Sequence, residues 1–137
     1  MTDKETLFSY RLRQADETLA DAALLLEGNS SPRSVVNRAY YAMFYAVLAL
    51  FIRFDTHVRT SKHAGVIGIF NKEFVHTGKV DVRFAKMLSA LFDARLESDY
   101  KDFVEVTPDQ ARDAVAKARD FVAAIKALIE ETEGTVF

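Results

Sequence analysis

The sequence contains no cysteine, which excludes disulfides, thiolate metal centres and a cysteine nucleophile. That absence is compatible with a reducing cytoplasm. Turn-forming residues are scarce, with 5 glycines and 2 prolines among 137 residues. Beside abundant Ala, Leu, Glu, Lys and Arg, this scarcity predicts an all-α fold. The longest apolar run, Ala39 to Ile52, falls short of the roughly 20 residues a membrane-spanning helix needs. The N-terminal segment starts polar and charged, unlike a secretory signal. The expectation is a cytoplasmic protein that does not use a membrane. There is no glycine-rich phosphate loop and no Gly-x-Ser-x-Gly elbow. No histidine pair stands at a spacing with carboxylates that suggests zinc, so no metal and no cofactor are expected.

What is present is a chain half hydrophobic, enough for one domain over residues 1–137 with a sizeable core. The formal net charge of −2 hides an asymmetry. Between Arg53 and Lys86 stand seven Lys or Arg against three acids, together with His57, His63 and His76. From Met87 onward six basic residues meet eleven acidic ones. A basic middle suits phosphate or an acidic protein surface, and equally an ordinary solvated face. The acidic overall balance argues against non-specific coating of nucleic acid.

Five helical segments are predicted, joined by short loops into an up-and-down bundle of four to five helices. The first runs from about Asp3 to Glu27, with Phe8, Leu12, Ala15, Leu19, Ala22 and Leu26 on one stripe and Gly28-Asn29 as its stop. The second follows a Ser30 or Ser31 cap and Pro32, and reaches about Phe54. It is apolar nearly all round, as a central helix must be. Its Ala39, Ala42, Ala46 and Ala49 would let a neighbour approach closely. A third helix is expected from about Lys62 to His76 and a fourth from about Val82 to Tyr100. Thr107-Pro108-Asp109-Gln110 has the form of a capping box opening the last helix.

Within the central helix, Asn37-Arg38-Ala39-Tyr40-Tyr41 puts polar groups where burial needs partners. Asn37, Arg38 and Tyr41 either line a polar pocket or dimer seam, or Arg38 pairs with an acid of a neighbouring helix while the tyrosine hydroxyls reach the surface. Arg95 continues the Phe84–Leu88–Leu91 stripe, with Asp99 one turn on and Tyr100 beside it. That arrangement is either an intrahelical ion pair of about 0.3–0.5 kcal/mol, or an oriented guanidinium for a phosphate or a developing anion. His63 opens the third helix with Arg59 and Lys62 nearby: an anion site, or a capping and packing histidine.

Taken in order, the motifs Asn37-Arg38-Ala39-Tyr40-Tyr41-Ala42-x-Phe44, Lys62-His63-x-Gly65-Val66, Phe70-x-Lys72-Glu73-Phe74-Val75-x-Thr77-Gly78 and Arg95-x-x-x-Asp99-Tyr100 resemble the small prokaryotic HEPN-domain proteins. The likeness covers roughly Ser31 to Phe103 and, loosely, the last helix. It implies a four- or five-helix bundle, usually homodimeric, often encoded beside a minimal nucleotidyltransferase as a toxin–antitoxin pair. Many such proteins are metal-independent ribonucleases whose Arg is followed, between one and two helical turns later, by a His, the pair being duplicated across a dimer cleft. In one branch a tyrosine of the motif is modified with AMP by the partner. Arg95 matches the family arginine; Tyr100, Lys101 and Asp102 occupy the window of the family histidine. A tyrosine, neutral near pH 7, does not replace an imidazole as a proton shuttle without a large pKa shift. The resemblance therefore implies a toxin-like or accessory partner of a nucleotidyltransferase, binding RNA or nucleotide phosphate near Arg95. An endoribonuclease, using His63 or Tyr100 for proton transfer, and a non-enzymatic ligand-binding accessory are the alternatives.

Overall fold

A computed structural model describes residues 2–100 and 104–132, apart from the side chains of 98–100. The protein is an all-α bundle, and no strand occurs among the described residues. Its helices are α1 (Asp3–Glu27), α2 (Pro32–Arg53), α3 (His63–Phe70), α4 (Val82–Tyr100) and α5 (Pro108–Glu131).

Local chemistry sets the helix starts. The Thr2 hydroxyl accepts from the Glu5 amide at 3.1 Å. The Ser31 hydroxyl accepts from the Ser34 amide at 3.2 Å, ahead of Pro32. At α5 the capping box is complete: the Gln110 amide donates to Thr107 Oγ1 at 3.1 Å, and the Thr107 amide donates to Gln110 Oε1 at 2.8 Å. The stop after α1 differs in detail from expectation. Gly28 keeps a negative φ of −80°, and Asn29 takes the left-handed turn at 53°. The Ser30 amide then closes on the Leu25 carbonyl at 2.9 Å. Asp55, at 51°, ends α2 in the same way, with the Thr56 amide on the Phe51 carbonyl at 2.9 Å.

α2 is the axis of the bundle. It packs most extensively on α1, and also on α5 and α4. Ala39, Ala42, Ala46 and Ala49 are all fully buried, as the small-residue stripe predicts. α2 is long and apolar enough to cross a membrane, yet most of that apolar stretch is buried against its neighbours. Arg53 belongs to this interior. It is 1% exposed, with its guanidinium 5.9 Å from the Phe8 ring centre, so it is not part of a solvated basic face.

The third helical segment is not uniform. After Phe70 the chain widens into a π-helical turn, Asn71–Val75, in which the His76 amide reaches back to the Asn71 carbonyl at 2.8 Å. Aromatic packing holds this turn. Phe74 lies 5.2 Å from Phe54 and 5.9 Å from Phe51, and Phe70 lies 5.7 Å from Phe121 of α5. Two glycines have positional reasons. Gly78 turns left-handed at φ 83°, which brings the Val80 amide onto the Phe74 carbonyl. At Gly65 any Cβ would stand 2.5 Å from Thr60 Cγ2. The glycine thereby lets the loop before α3 close against the helix that carries His63.

Candidate functional site

α2, α3 and α4 meet around two adjacent tyrosines. Tyr40 is fully buried and Tyr41 half-buried, with their rings edge to face at 5.3 Å. From α4, Phe92 packs on Tyr40 at 5.8 Å. One turn further on, the Arg95 guanidinium lies 5.5 Å from the Tyr40 ring centre and 5.3 Å from that of Tyr41. Both distances are in the range of cation–π attraction. The reading that Arg95 prolongs a core stripe thus has a physical sequel: its Nε is buried and its charged head rests on an aromatic floor.

α3 contributes His63. Its ring stacks on Phe44 at 4.0 Å and 19° and meets Tyr41 edge-on at 5.6 Å. Its Nδ1 is hydrogen-bonded to the Tyr40 hydroxyl at 2.8 Å. The same buried tyrosine therefore carries Arg95 against its ring and His63 on its hydroxyl.

The electrostatics follow from this packing. Burial pushes the Tyr40 phenol well above its ordinary range, with the Arg95 charge opposing and Tyr41 adding to the rise. Tyr40 thus stays an O–H group at physiological pH. Burial first, and the Arg95 charge second, hold His63 below its ordinary 6.5. The imidazole is then mostly neutral near pH 7, able to accept or donate a proton. With Nδ1 engaged by Tyr40, Nε2 is the nitrogen left for a reactant.

Arg38 also meets Tyr41, its guanidinium 5.2 Å from the ring centre. Its Nε and one Nη donate to Asn37 Oδ1 at 3.2 and 3.0 Å. The structure thus brings Asn37, Arg38, Tyr41, His63 and Arg95 into one group. Arg59 and Lys62 are exposed on the loop before α3, and among the described residues no hydrogen bond, ion pair or ring contact joins them to that group. Asp99 and Tyr100 fall in the last turn of α4, and their side chains lie outside the described residues. Among the described residues no three His, Asp or Glu side chains converge as a metal cluster would.

Two members of the group escaped the sequence reading as site residues, Tyr40 and Phe44. Both sit on apolar stripes of α2, where an aromatic reads as core. The one available signal was the Tyr40 hydroxyl, since a fully buried phenol needs a hydrogen-bonding partner.

A separate cavity of about 590 Å3 lies toward the C-terminal end of α2, lined by Leu7, Leu48, Phe51 and Ile52 with a rim that includes Lys4 and Asp55. Lys4 and Asp55 are paired at 2.6 Å. None of the residues grouped around Tyr41 lines it.

Comparison with known proteins agrees with this picture. The HEPN domain model matches residues 8–128. The UPF0332 protein of Thermotoga maritima is 43% identical over 131 residues, covering 96% of this chain and 97% of that protein. A candidate toxin of Methanocaldococcus jannaschii is 32% identical over 117 residues, covering 85% of this chain and 84% of its own. The UPF0332 protein of Archaeoglobus fulgidus is 34% identical over 116 residues, covering 85% and 90%.

Proposed function

On the premise that this chain belongs to the HEPN-domain family, we propose that it is a toxin-like protein that binds RNA or nucleotide phosphate at Arg95 beside His63. In this reading it acts as a homodimer and as the partner of a minimal nucleotidyltransferase. The observation that carries the reading is the shared support of Arg95 and His63 by Tyr40. A guanidinium presents planar, charged donors to a phosphate, and an oriented imidazole adds a second polar contact. The toxin element draws on the name of the Methanocaldococcus jannaschii relative. Fluorescence anisotropy with a labelled oligoribonucleotide tests the site. Arg95→Ala, shown folded by circular dichroism, should weaken binding about tenfold or more; unchanged binding refutes the reading. Light scattering should give a dimer mass, and co-purification with a co-expressed nucleotidyltransferase tests the pairing.

The neutral imidazole favours one further reading, metal-independent RNA cleavage. In the tautomer that carries its proton on Nδ1 and donates it to the Tyr40 oxygen, His63 Nε2 would take the proton of a ribose 2′-hydroxyl as its oxygen attacks phosphorus. The P–O5′ bond breaks, the leaving 5′ oxygen takes a proton from water, and His63 returns its proton to solvent. Arg95 would stabilise the charge that builds on the phosphoryl oxygens. Cleavage in the presence of chelator that falls about 100-fold or more in His63→Gln supports it. A folded wild-type dimer that leaves RNA intact refutes it.

A further inference from the structure

Arg38 and Arg95 press against the same ring. Their guanidinium carbons lie 5.2 and 5.3 Å from the centre of Tyr41. The two cationic heads are therefore no farther apart than those two distances end to end. Concentrating like charge in this way raises the local positive potential and favours an anion that spans both.

Arg38 is also oriented for such a ligand. Asn37 Oδ1 accepts from Nε and one Nη, which fixes one edge of the fork. Asn37 is neutral, so it steers the guanidinium without cancelling its charge. The remaining Nη hydrogens form a second edge with the geometry for two parallel bonds to an oxyanion. Arg38 also lines a cavity of about 430 Å3, together with Leu25, Arg33, Ser34 and Asn37. Its volume is within the roughly 300–1,000 Å3 of small-ligand pockets. Arg33, exposed at the surface, adds a second guanidinium to its wall and is tied by a hydrogen bond to the Val104 carbonyl at 3.3 Å. Arg38 is thus shared between two groupings: it lines a cavity with Arg33, and it meets the Tyr41 ring that Arg95 also meets.

We infer that Arg38 and Arg33 form a second phosphate subsite, so that the site's ligand is a single nucleic-acid strand carrying at least two linked phosphates, not a mononucleotide. One phosphate sits at Arg95 and His63, and the neighbouring phosphate of the same strand at Arg38 and Arg33. The Tyr41 ring is in contact with both guanidinium groups. This inference rests on the proposed phosphate site at Arg95 and names the class of ligand it takes. RNA and DNA strands share the backbone chemistry argued here, and the experiment includes both.

The test measures binding of AMP, a short oligoribonucleotide and the matching oligodeoxyribonucleotide over a salt series, using the full chain. For wild type the strand should bind far more tightly than AMP. Arg38→Ala and, independently, Arg33→Ala should weaken the strand about tenfold. Each should lower the slope of log affinity against log salt by about 0.7, the value for one phosphate contact on a single strand. AMP affinity should change little. Arg38→Lys should retain the salt slope while losing affinity, because it keeps the charge without the fork. Arg95→Ala should weaken both AMP and strand. If Arg95→Ala changes neither ligand, the phosphate site itself is wrong. If Arg95→Ala weakens both while Arg33→Ala and Arg38→Ala leave the strand's affinity and slope unchanged, only the second subsite is overturned. Equal loss of AMP and strand in the Arg38 and Arg33 variants overturns it as well. Arg33 is exposed, so its variant serves as the control that does not depend on core packing. A weaker DNA arm with an unchanged slope would place the preference in the ribose hydroxyl, with the two-phosphate arrangement retained.

Discussion

Tyr40→Phe removes one oxygen atom from the centre of the site and leaves almost everything else. The ring is fully buried, and its contacts with Tyr41 at 5.3 Å, Phe92 at 5.8 Å and Phe44 at 6.0 Å do not involve the hydroxyl. What is lost is the 2.8 Å bond to His63 Nδ1. A hydrogen bond of this kind contributes about 0.5–1.5 kcal/mol net. His63 is only half-buried, so water can reach Nδ1 in the variant and offset part of the loss. The expected destabilisation is about 1 kcal/mol, a fall of roughly 4 °C in Tm for a chain of 137 residues. Tyr40→Ala, which deletes the ring, should cost about 3–5 kcal/mol. Urea unfolding followed by far-UV circular dichroism measures both variants, and nitrogen-15 shifts of the His63 ring report its tautomer. In the wild type a protonated Tyr40 favours the tautomer with its proton on Nε2, and the Phe variant should shift toward a mixture. If Tyr40→Phe is as destabilising as Tyr40→Ala, the hydroxyl does more than orient an imidazole. If the His63 ring shifts are identical in wild type and Phe variant, it does not orient it at all.

The remaining expectations concern His63 and its supports. His63 should titrate below 6.5, and Arg95→Ala should bring it only part of the way back, because burial is the larger cause and remains. The sign for stability follows: the unfolded chain binds the proton more readily, so this contribution is complete above 6.5 and is lost as pH falls from there through the lower folded value. Urea midpoints in wild type that rise on acidification across that window, relative to His63→Gln, would contradict it. Gly65→Ala forces a Cβ toward Thr60 Cγ2, whose hydroxyl also accepts from the Lys62 amide at 3.1 Å, and should cost about 1–3 kcal/mol while shifting the His63 ring signals. Thr107→Ala breaks the capping box of α5 and should cost about 1 kcal/mol in urea unfolding without changing the His63 titration.

Much of the architecture was legible because it is written in repeating patterns. The stripes of α2 announce a helix with neighbours on every side, and Thr107-Pro108-Asp109-Gln110 announces a start. The π turn after Phe70 was not legible, because Phe70 and Phe74 stand four apart, a spacing an α-helix satisfies equally well. Arg53 was misleading for a related reason: a charge at a helix end reads as solvated unless the packing around it is known. The meeting of His63 and Arg95 at the same two tyrosines is a tertiary fact between residues far apart in the chain. Sequence could mark each as a cation near an unusual helix, and the link between them, Tyr40, was hidden inside a core stripe. Asn37 and Arg38 were legible as anomalous but not as partners, since an amide holding its own neighbour's guanidinium has no distinctive spacing.

The claim at the centre of this account is that one phosphate lies between Arg95 and His63. The most direct measurement is the His63 pKa by NMR, with and without a saturating, non-cleavable 2′-O-methyl oligoribonucleotide. An anion beside the imidazole favours its charged form. The account therefore predicts that the strand raises the His63 pKa from its depressed value, and that Arg95→Ala weakens the strand and diminishes the rise. A strand that binds tightly while the His63 signals and pKa stay where they are in the free protein would contradict it.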